Sequence, residues 1–283
     1  MTVKEQSACI SVLIPVYKPD PEWLRACIRS LNAQTYKDWQ LVLSLDGEDP
    51  RTIDAIKIAQ DNLALSHSLI VVRGAHSGIT GALNRGLDVC ETPYIARLDA
   101  DDLCRTIRLQ QQWQLMEQEP ALVACGMQIQ GIDSNGDQLR RRLHIYPTTP
   151  RLTLLVGALF NTPIAHPVLM FRTQAAKILG GYRHQPCMED YDLMARLSGY
   201  GKLSNLNSVG LDYRVHEQQH SRQVRPKRRQ LLAARYRFLL ALIREQPAAL
   251  ALAGWPLVLY SIGPQGEYLL RRWISRRAAA FKS

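Results

Sequence analysis

Acidic residues follow directly after an apolar stretch of this sequence. The run Tyr94–Leu98 reads as a buried strand, and Asp99, Asp101 and Asp102 come next. Two aspartates spaced two positions apart at a strand end suit Mg²⁺ or Mn²⁺, which prefer oxygen ligands and bind substrate phosphates. Aspartates also cap helices, and a helix is predicted to begin at Arg105. The spacing therefore leaves a metal site and a helix cap open.

A second acidic group stands at the start of another predicted helix. Glu189, Asp190 and Asp192 occupy the first turn of "MEDYDLMARLSGYG", where the helix dipole alone favours acidic residues. A carboxylate there can also act as a general base that takes the proton of an attacking hydroxyl group. His216 ends a short predicted strand. Its imidazole suits a metal, although a lone histidine at a strand end is more often structural.

Alternating strands and helices bring these carboxylates to one edge of a sheet. Four apolar runs alternate with three helical patterns, which predicts an α/β fold with a mostly parallel central sheet and helices on both faces. Ligands bind such sheets beyond the carboxyl ends of the strands, where Asp46 and Asp99 lie. The predicted strands cover 9–17, 39–47, 68–74 and 93–99, and the helices between them cover 20–35, 51–62 and 77–90.

The second half of the chain gives a less regular pattern. A helix over 105–118 is followed by a strand and turn over 121–138, and a late short strand covers 211–216. From Arg222 onwards the sequence is helical, basic and rich in Leu and Ala. A G-x-G-x-x-G motif does not follow the first strand and the sequence has no Walker A motif, which argues against a dinucleotide dehydrogenase and a P-loop enzyme.

The net charge of +10 resides in the last part of the chain. Residues 222–283 hold 13 Lys or Arg and 2 Asp or Glu, whereas residues 1–221 hold 22 and 23. A basic tail suits an anionic partner, such as membrane lipid, nucleic acid or a phosphorylated acceptor, with a solvated helical face as the alternative. Aromatic residues are not interleaved with the basic run, so no nucleic-acid partner is expected.

The segment 246–266 carries no charge and approaches the length of a membrane span. Its three prolines disfavour a spanning helix. We expect an interfacial segment at an anionic membrane surface, with a helical subdomain packed on the preceding domain as the alternative. The N-terminal residues lack a signal-peptide pattern and the six cysteines lack metal-ligand spacing. A cytoplasmic protein, peripheral on the inner face of the plasma membrane, is therefore expected.

Eight motifs in order resemble those of the family-2 glycosyltransferases. The resemblance spans about residues 9–216 and implies a GT-A fold, inversion at the sugar and a nucleotide-sugar donor, in a bacterial-type enzyme. It implies a catalytic domain over 8–220 and a basic helical extension over 221–283. The motifs are "SVLIPVYKPD", "SLNAQTYKDWQLVLSLDG", "GITGALNRGL", "YIARLDADD", "HPVLMFR", "GGY", "MEDYDLMARL" and "YRVH".

The resemblance also assigns roles to single positions. Asp190 is similar to the catalytic base of the family, with Glu189 beside it. Asp101 resembles the metal ligand, assisted by Asp99 and His216, for Mg²⁺ or Mn²⁺. The implied partners are a nucleotide-diphosphate sugar and a glycan or lipid-linked glycan acceptor. The implied nucleotide-sugar-binding residues are Pro15, Val16, Tyr17, Asp46, Asp99, Ala100 and Asp101.

Two departures from the family pattern refine these expectations. The family often has two adjacent acids before the glycine after strand two, but Leu45 occupies the first position and only Asp46 remains to contact uracil or ribose. The Q-x-x-R-W signature of processive synthases does not follow the "ED" motif. We therefore expect one sugar to be added at a time. A nucleotidyltransferase on a similar sheet and a nucleic-acid binder using the basic tail are the alternatives.

Overall fold

A computed structural model describes residues 8–140, 145–160, 162–184, 188–217, 228–252, 254–256 and 258. Its centre is an eight-stranded mixed sheet with the strand order β3-β2-β1-β4-β7-β6-β8-β5. The strands are β1 (Ile10–Val16), β2 (Trp39–Leu45), β3 (Leu69–Val72), β4 (Tyr94–Arg97), β5 (Leu103–Cys104), β6 (Leu122–Ile132), β7 (Met170–Arg172) and β8 (Lys202–Arg214).

The first four strands form the parallel half of the sheet, as the sequence predicts. β1 pairs in parallel with β2 and with β4, and β2 pairs in parallel with β3. All but one residue of β1 and of β2 are buried, which agrees with their continuous apolar runs. Because the strands run in parallel, their carboxyl ends meet at one edge, and the acidic residues Asp46 and Asp99 follow there.

The second half of the sheet mixes both strand directions. β7 pairs antiparallel with β4 and β6, β6 pairs in parallel with β8, and β5 pairs antiparallel with β8. The late strand is much longer than the predicted 211–216, because it begins at Lys202 and follows β6 along its length. Its polar residues hide this length from a pattern search.

Helices cover both faces of the sheet, which confirms the predicted layers. One face carries α1 (Pro21–Asn32), α2 (Pro50–Asn62) and α4 (Arg108–Gln118), whose apolar residues join one core cluster. The other face carries α3 (Gly78–Val89), α5 (Pro150–Leu159), α6 (Thr173–Ile178), α7 (Glu189–Tyr200) and α8 (Arg228–Glu245). Short 3-10 helices cover His166–Val168 and Pro247–Leu252.

The basic helix α8 packs on the rest of the protein through α5 and α7. Phe238 is fully buried and stacks on Tyr191 of α7 at 5.3 Å between ring centroids. Arg237 donates to Asp192 of α7 at 2.8 Å, and Arg235 donates to the carbonyl oxygen of Phe160 at 2.8 Å. These arginines therefore bind protein groups, as expected for a helical subdomain packed on the body.

The remainder of the basic extension lies largely outside the described residues. This holds for residues 218–227, where the predicted domain boundary falls, and for residues 259–283 of the predicted interfacial segment and tail. None of the helices in the described ranges combines the length and apolar character needed to cross a bilayer.

Candidate active site

Three carboxylates cluster where β4 ends. One oxygen each of Asp99, Asp101 and Asp102 can be chosen so that all lie within 4.8 Å of one another. Asp102 is fully buried, and its Oδ1 accepts from the backbone N–H of Arg214 at 2.8 Å. Its Oδ2 is buried and has no hydrogen-bond partner among the described residues. Such a group of hard oxygen atoms, one of them unsatisfied, fits a divalent cation.

The raised pKa values of Asp101 and Asp102 also favour a cation site in this cluster. Burial, followed by the charge of Asp99, raises the pKa of Asp101. Burial and the charges of Asp101 and Asp99 raise the pKa of Asp102 well above its ordinary value. Carboxylates that repel one another in a buried site are stabilised when a cation binds between them.

His216 reaches this cluster from the end of β8. Its Nε2 lies 2.8 Å from Oδ2 of Asp101, so the structure brings together the predicted metal residues Asp99, Asp101 and His216. The ring of Trp23 lies 4.8 Å from the His216 ring. The guanidinium of Arg214 lies over Trp23 at 5.0 Å and donates to the carbonyl oxygen of Asp101 at 2.8 Å. These contacts fix the position of the histidine.

The helix-cap alternative for these aspartates is wrong. The helix after them begins at Arg108 and not at Arg105, because Leu103 and Cys104 form β5 against β8. The residue that precedes the helix is Ile107, which makes no side-chain capping bond. The carboxylates of Asp101 and Asp102 therefore do not cap this helix.

Asp46 lies at the end of β2 but is engaged by the protein itself. Its Oδ1 accepts from the backbone N–H of Ser77 at 2.8 Å and from Arg85 at 3.0 Å. Its Oδ2 accepts from the backbone N–H of Gly78 at 3.0 Å and lies 2.8 Å from His76 Nδ1. Asp46 thus anchors the start of α3. Of the two side chains that contact its carboxylate, the His76 ring is the more exposed.

The predicted base-contacting segment Pro15, Val16 and Tyr17 adjoins this anchor. Val16 is buried, whereas the Tyr17 ring is half exposed and stacks on His76 at 4.4 Å between centroids. Lys18, the next residue, adopts a positive φ of 44° and forms an ion pair with Asp49 at 3.1 Å. A non-glycine residue in this strained backbone region is typical of functional sites.

The second acidic pair begins α7. Met188 precedes it with a positive φ of 71°, which is again a strained conformation for a non-glycine residue. Burial raises the pKa of Glu189. Burial, followed by the charge of Glu189, raises the pKa of Asp190 to about 7. A carboxyl group with that proton affinity is suited to accept a proton near neutral pH.

Sequence reasoning missed Arg97, which lies inside the run taken as an apolar strand. It is 2% exposed, and its Nη1 forms an ion pair with Oδ2 of Asp99. Its charge lowers the pKa values of Glu189 and Asp190, so it acts on both acidic groups. The sequence signal that could have found it is a single arginine inside an otherwise apolar strand, Tyr94–Arg97.

The family follows from comparison with known proteins. A sequence model described as "Glycosyl transferase family 2" matches residues 11–178, which is more than half of the chain. The chain belongs to this family. It is a glycosyltransferase, and its acidic cluster Asp99, Asp101 and Asp102 lies inside the matched region.

Two curated relatives share substantial sequence identity with this chain. The glycosyltransferase is 32% identical over 207 residues to the amylovoran biosynthesis glycosyltransferase AmsE of Erwinia amylovora, covering 72% of this chain and 76% of AmsE. It is 29% identical over 210 residues to the O-antigen biosynthesis glycosyltransferase WbnJ of Escherichia coli, covering 73% and 80%.

The structural likeness confirms the fold. The crystal structure of S. aureus TarS 1–349 in complex with UDP-GlcNAc matches with a TM-score of 0.63 at 15% identity. The match covers 83% of this chain but only 66% of the TarS fragment, slightly under two thirds of it. At that identity the likeness supports the predicted GT-A fold alone.

Proposed function

We propose that this glycosyltransferase transfers one sugar from a UDP-sugar to an acceptor hydroxyl group with inversion, and that it requires Mg²⁺ or Mn²⁺. The carboxylate cluster carries the proposal, because Asp102 Oδ2 is buried without a hydrogen-bond partner among the described residues and all three acids converge within 4.8 Å. UDP is favoured because TarS binds UDP-GlcNAc.

Asp101 would hold the cation with help from Asp99 and His216, and the buried Oδ2 of Asp102 would be available as a further ligand. When bound, a divalent cation stabilises the negative charge on a leaving diphosphate. Such ions usually bind few protein carboxylates together with substrate phosphates, which suits a donor carrying a diphosphate.

Asp190 would accept the proton of the acceptor hydroxyl group. The acceptor oxygen forms a bond to the anomeric carbon from the face opposite the diphosphate, the bond from that carbon to the phosphate oxygen breaks, and the nucleoside diphosphate leaves. A pKa of about 7 fits this role, because the group is substantially ionised at neutral pH. Glu189 assists by its charge, which raises the proton affinity of Asp190.

The acceptor is proposed to be a growing glycan or lipid-linked glycan, because AmsE and WbnJ are named for amylovoran and O-antigen biosynthesis. A lipid-linked acceptor would bring the enzyme to the cytoplasmic face of a membrane. Deleting residues 222–283 is a poor test of that location, because α8 packs on the body. Deletion of 259–283 is the better variant, and unchanged binding to anionic liposomes would discard the membrane role of that segment.

A thermal-shift panel tests the donor and the cation. UDP-, dTDP- and GDP-sugars are each added with Mn²⁺ or with EDTA, since a ligand that binds only the folded state raises the melting temperature. We expect UDP-sugars to stabilise the protein with Mn²⁺, EDTA to remove the effect and Asp101→Ala to lack it. Asp54→Ala, on the exposed side of α2, is the matched control. Equal shifts with and without EDTA would refute the metal site.

A further inference from the structure

Three arginines converge on one buried aspartate at the start of α7. Asp192 lies in the first turn of this helix, where its Oδ2 accepts from Nε of Arg196 at 2.7 Å. Its Oδ1 accepts from Nη1 of Arg237 at 2.8 Å, and Nη1 of Arg183 lies 3.9 Å from the same oxygen. A single carboxylate therefore faces three guanidinium groups, which leaves a local excess of positive charge.

The three arginines differ in how strongly the protein engages them. Arg196 is buried and also donates to two backbone carbonyl oxygens, at 2.8 and 2.7 Å. The side chains of Arg183 and Arg237 are 53% and 36% exposed, and Asp192 is the only ion-pair or hydrogen-bond partner that either has among the described residues. Because a guanidinium carries several N–H donors in a fixed fork, most donors of Arg183 and Arg237 are available to a ligand.

Exposed apolar side chains lie close to these arginines. Leu240 is exposed and follows Arg237 by three positions on α8, which places both on one face of the helix. Ile178 is exposed at the end of α6, next to Leu179, whose carbonyl oxygen accepts from Arg196. A surface that combines free guanidinium donors with apolar side chains suits a ligand that has an anionic part and an apolar part.

We propose that Arg183 and Arg237 bind a phosphate group of the acceptor, and that this phosphate is carried by an apolar chain. This rests on the proposed function, in which the acceptor is a lipid-linked glycan. Guanidinium groups bind phosphate oxygens through two parallel hydrogen bonds, and here two guanidiniums meet at one carboxylate oxygen. The buried Arg196 holds Asp192 in place and so supports the site from the protein side.

The position of the arginines separates this site from the reacting groups. Asp190, the proposed base, and Asp192 stand two positions apart in the first turn of α7, so their side chains point about 200° apart around its axis. The donor diphosphate is placed at the acidic cluster after β4. A phosphate bound by Arg183 and Arg237 would therefore hold the acceptor by a group remote from the attacking hydroxyl.

Binding of a simple lipid phosphate tests the proposal. The full chain is titrated calorimetrically with decyl phosphate, below its critical micelle concentration, in EDTA, which keeps cations out of the acidic cluster. Arg183 is changed first, because its side chain is exposed and its contact with Asp192 is long. We expect Arg183→Gln to weaken binding about tenfold, the usual effect of losing one charge-assisted hydrogen bond. Unchanged affinity in Arg183→Gln, or no binding to the wild type, would overturn the proposal.

A matched control removes the same charge from another exposed arginine. Arg244 lies on α8, as Arg237 does, and donates to the carbonyl oxygen of Gly199 at 3.0 Å, towards the other end of α7. Arg244→Gln should bind decyl phosphate with the affinity of the wild type. An equal loss in Arg183→Gln and Arg244→Gln would mean attraction by net charge alone and would contradict a specific site.

The same variants distinguish an acceptor phosphate from a membrane headgroup. Vesicles of phosphatidylcholine and phosphatidylglycerol attract any exposed basic surface, so both variants should weaken cosedimentation with them to a similar extent. If Arg183→Gln weakens vesicle binding but not decyl phosphate binding, the arginines serve the membrane and the proposal is wrong. Inorganic phosphate, which lacks the apolar chain, should bind more weakly than decyl phosphate, and equal affinities would overturn the lipid part of the proposal.

Competition with the donor separates this inference from the proposed function. Decyl phosphate should bind equally well when the protein is saturated with Mn²⁺ and a UDP-sugar, whereas displacement would place both phosphates in one site and overturn the inference. If no nucleotide sugar binds but Arg183-dependent binding of decyl phosphate persists, the proposed donor is wrong and the phosphate site stands. If the UDP-sugar binds with Mn²⁺ and decyl phosphate does not bind, only the phosphate site is wrong.

Discussion

The Nε2 atom of His216 lies 2.8 Å from Oδ2 of Asp101, although 115 positions separate the two residues in the chain. The contact joins the end of β8 to the loop after β4. It also orients the Asp101 carboxylate towards Asp99 and Asp102, with which it forms the acidic cluster. A group that orients a metal ligand, or binds the metal itself, is expected to affect metal affinity strongly.

His216→Gln should therefore weaken Mn²⁺ binding by about 10–100-fold. Titration calorimetry of the apo protein with Mn²⁺ measures this directly. His67→Gln is the matched control, because His67 stacks on Trp39 at 3.8 Å, at the opposite end of β2. Unchanged Mn²⁺ affinity in His216→Gln would show that the contact is only structural.

Asp190→Asn should reduce turnover by about 10²–10⁴-fold, the usual contribution of a general base. Donor binding should change little, because the proposed proton transfer concerns the acceptor. Steady-state kinetics and the thermal shift with donor and Mn²⁺ measure the two effects separately. An equal loss of both would contradict the assignment.

The stability of the metal-free protein should fall as the pH rises. Burial raises the pKa values of Asp101, Asp102, Glu189 and Asp190, so the folded state binds more protons than the unfolded state. The unfolding free energy should then decrease from about pH 4, where unfolded carboxyl groups titrate, towards the raised pKa of Asp190 at about 7. Above the raised values no further loss is expected.

Urea unfolding over a pH series measures this trend. We expect a negative slope in EDTA and a smaller one with Mn²⁺, since a cation compensates the charges of Asp101 and Asp102. The Asp190→Asn variant should also show a smaller slope in EDTA. A slope in EDTA that is flat and unaffected by Asp190→Asn would contradict the raised proton affinities.

Removal of a buried side chain from α8 should destabilise the whole catalytic body. Phe238 is fully buried against Tyr191, and Phe238→Ala should lower the unfolding free energy by about 3–5 kcal/mol. Leu240→Ala in the same helix, at a side chain that is 64% exposed, should change it by less than about 0.5 kcal/mol. Chemical denaturation followed by tryptophan fluorescence compares the two variants.

The same packing predicts the result of truncation. A protein that ends at residue 221 would expose the apolar surfaces of α5 and α7 that α8 covers. We expect it to be insoluble or to unfold at a much lower temperature. A stable, soluble fragment 1–221 would instead favour the predicted domain boundary as a boundary of independent folding.

Asp46 should affect stability more than donor choice. It is 3% exposed and accepts from Arg85, His76 and two backbone amides at the start of α3. Asp46→Ala removes the shared acceptor of Arg85 and of the backbone N–H groups of Ser77 and Gly78, and should cost about 3 kcal/mol. Thermal unfolding without ligand measures this effect. A variant with wild-type stability but lost UDP-sugar binding would support direct contact with the base instead.

The local sequence determines the parallel half of the fold. β1 and β2 lie in mostly apolar runs, and α1 begins after Asp20, whose side chain accepts from the backbone N–H groups of Glu22 and Trp23. These signals lie within one element or its flanking turn, so periodicity and capping residues are enough to read them. The position of Asp99 and Asp101 beyond a strand end follows directly.

The tertiary structure alone decides which distant side chains meet. β8 (Lys202–Arg214) is rich in polar residues and becomes a long strand only because β6 offers it a partner. The pairs His216 with Asp101, Arg237 with Asp192 and Arg97 with Asp99 depend on how the elements pack and how burial removes water from their charges. No local pattern of the sequence encodes that burial. The types and spacing of the residues, by contrast, were sufficient to indicate the family and its acidic motifs.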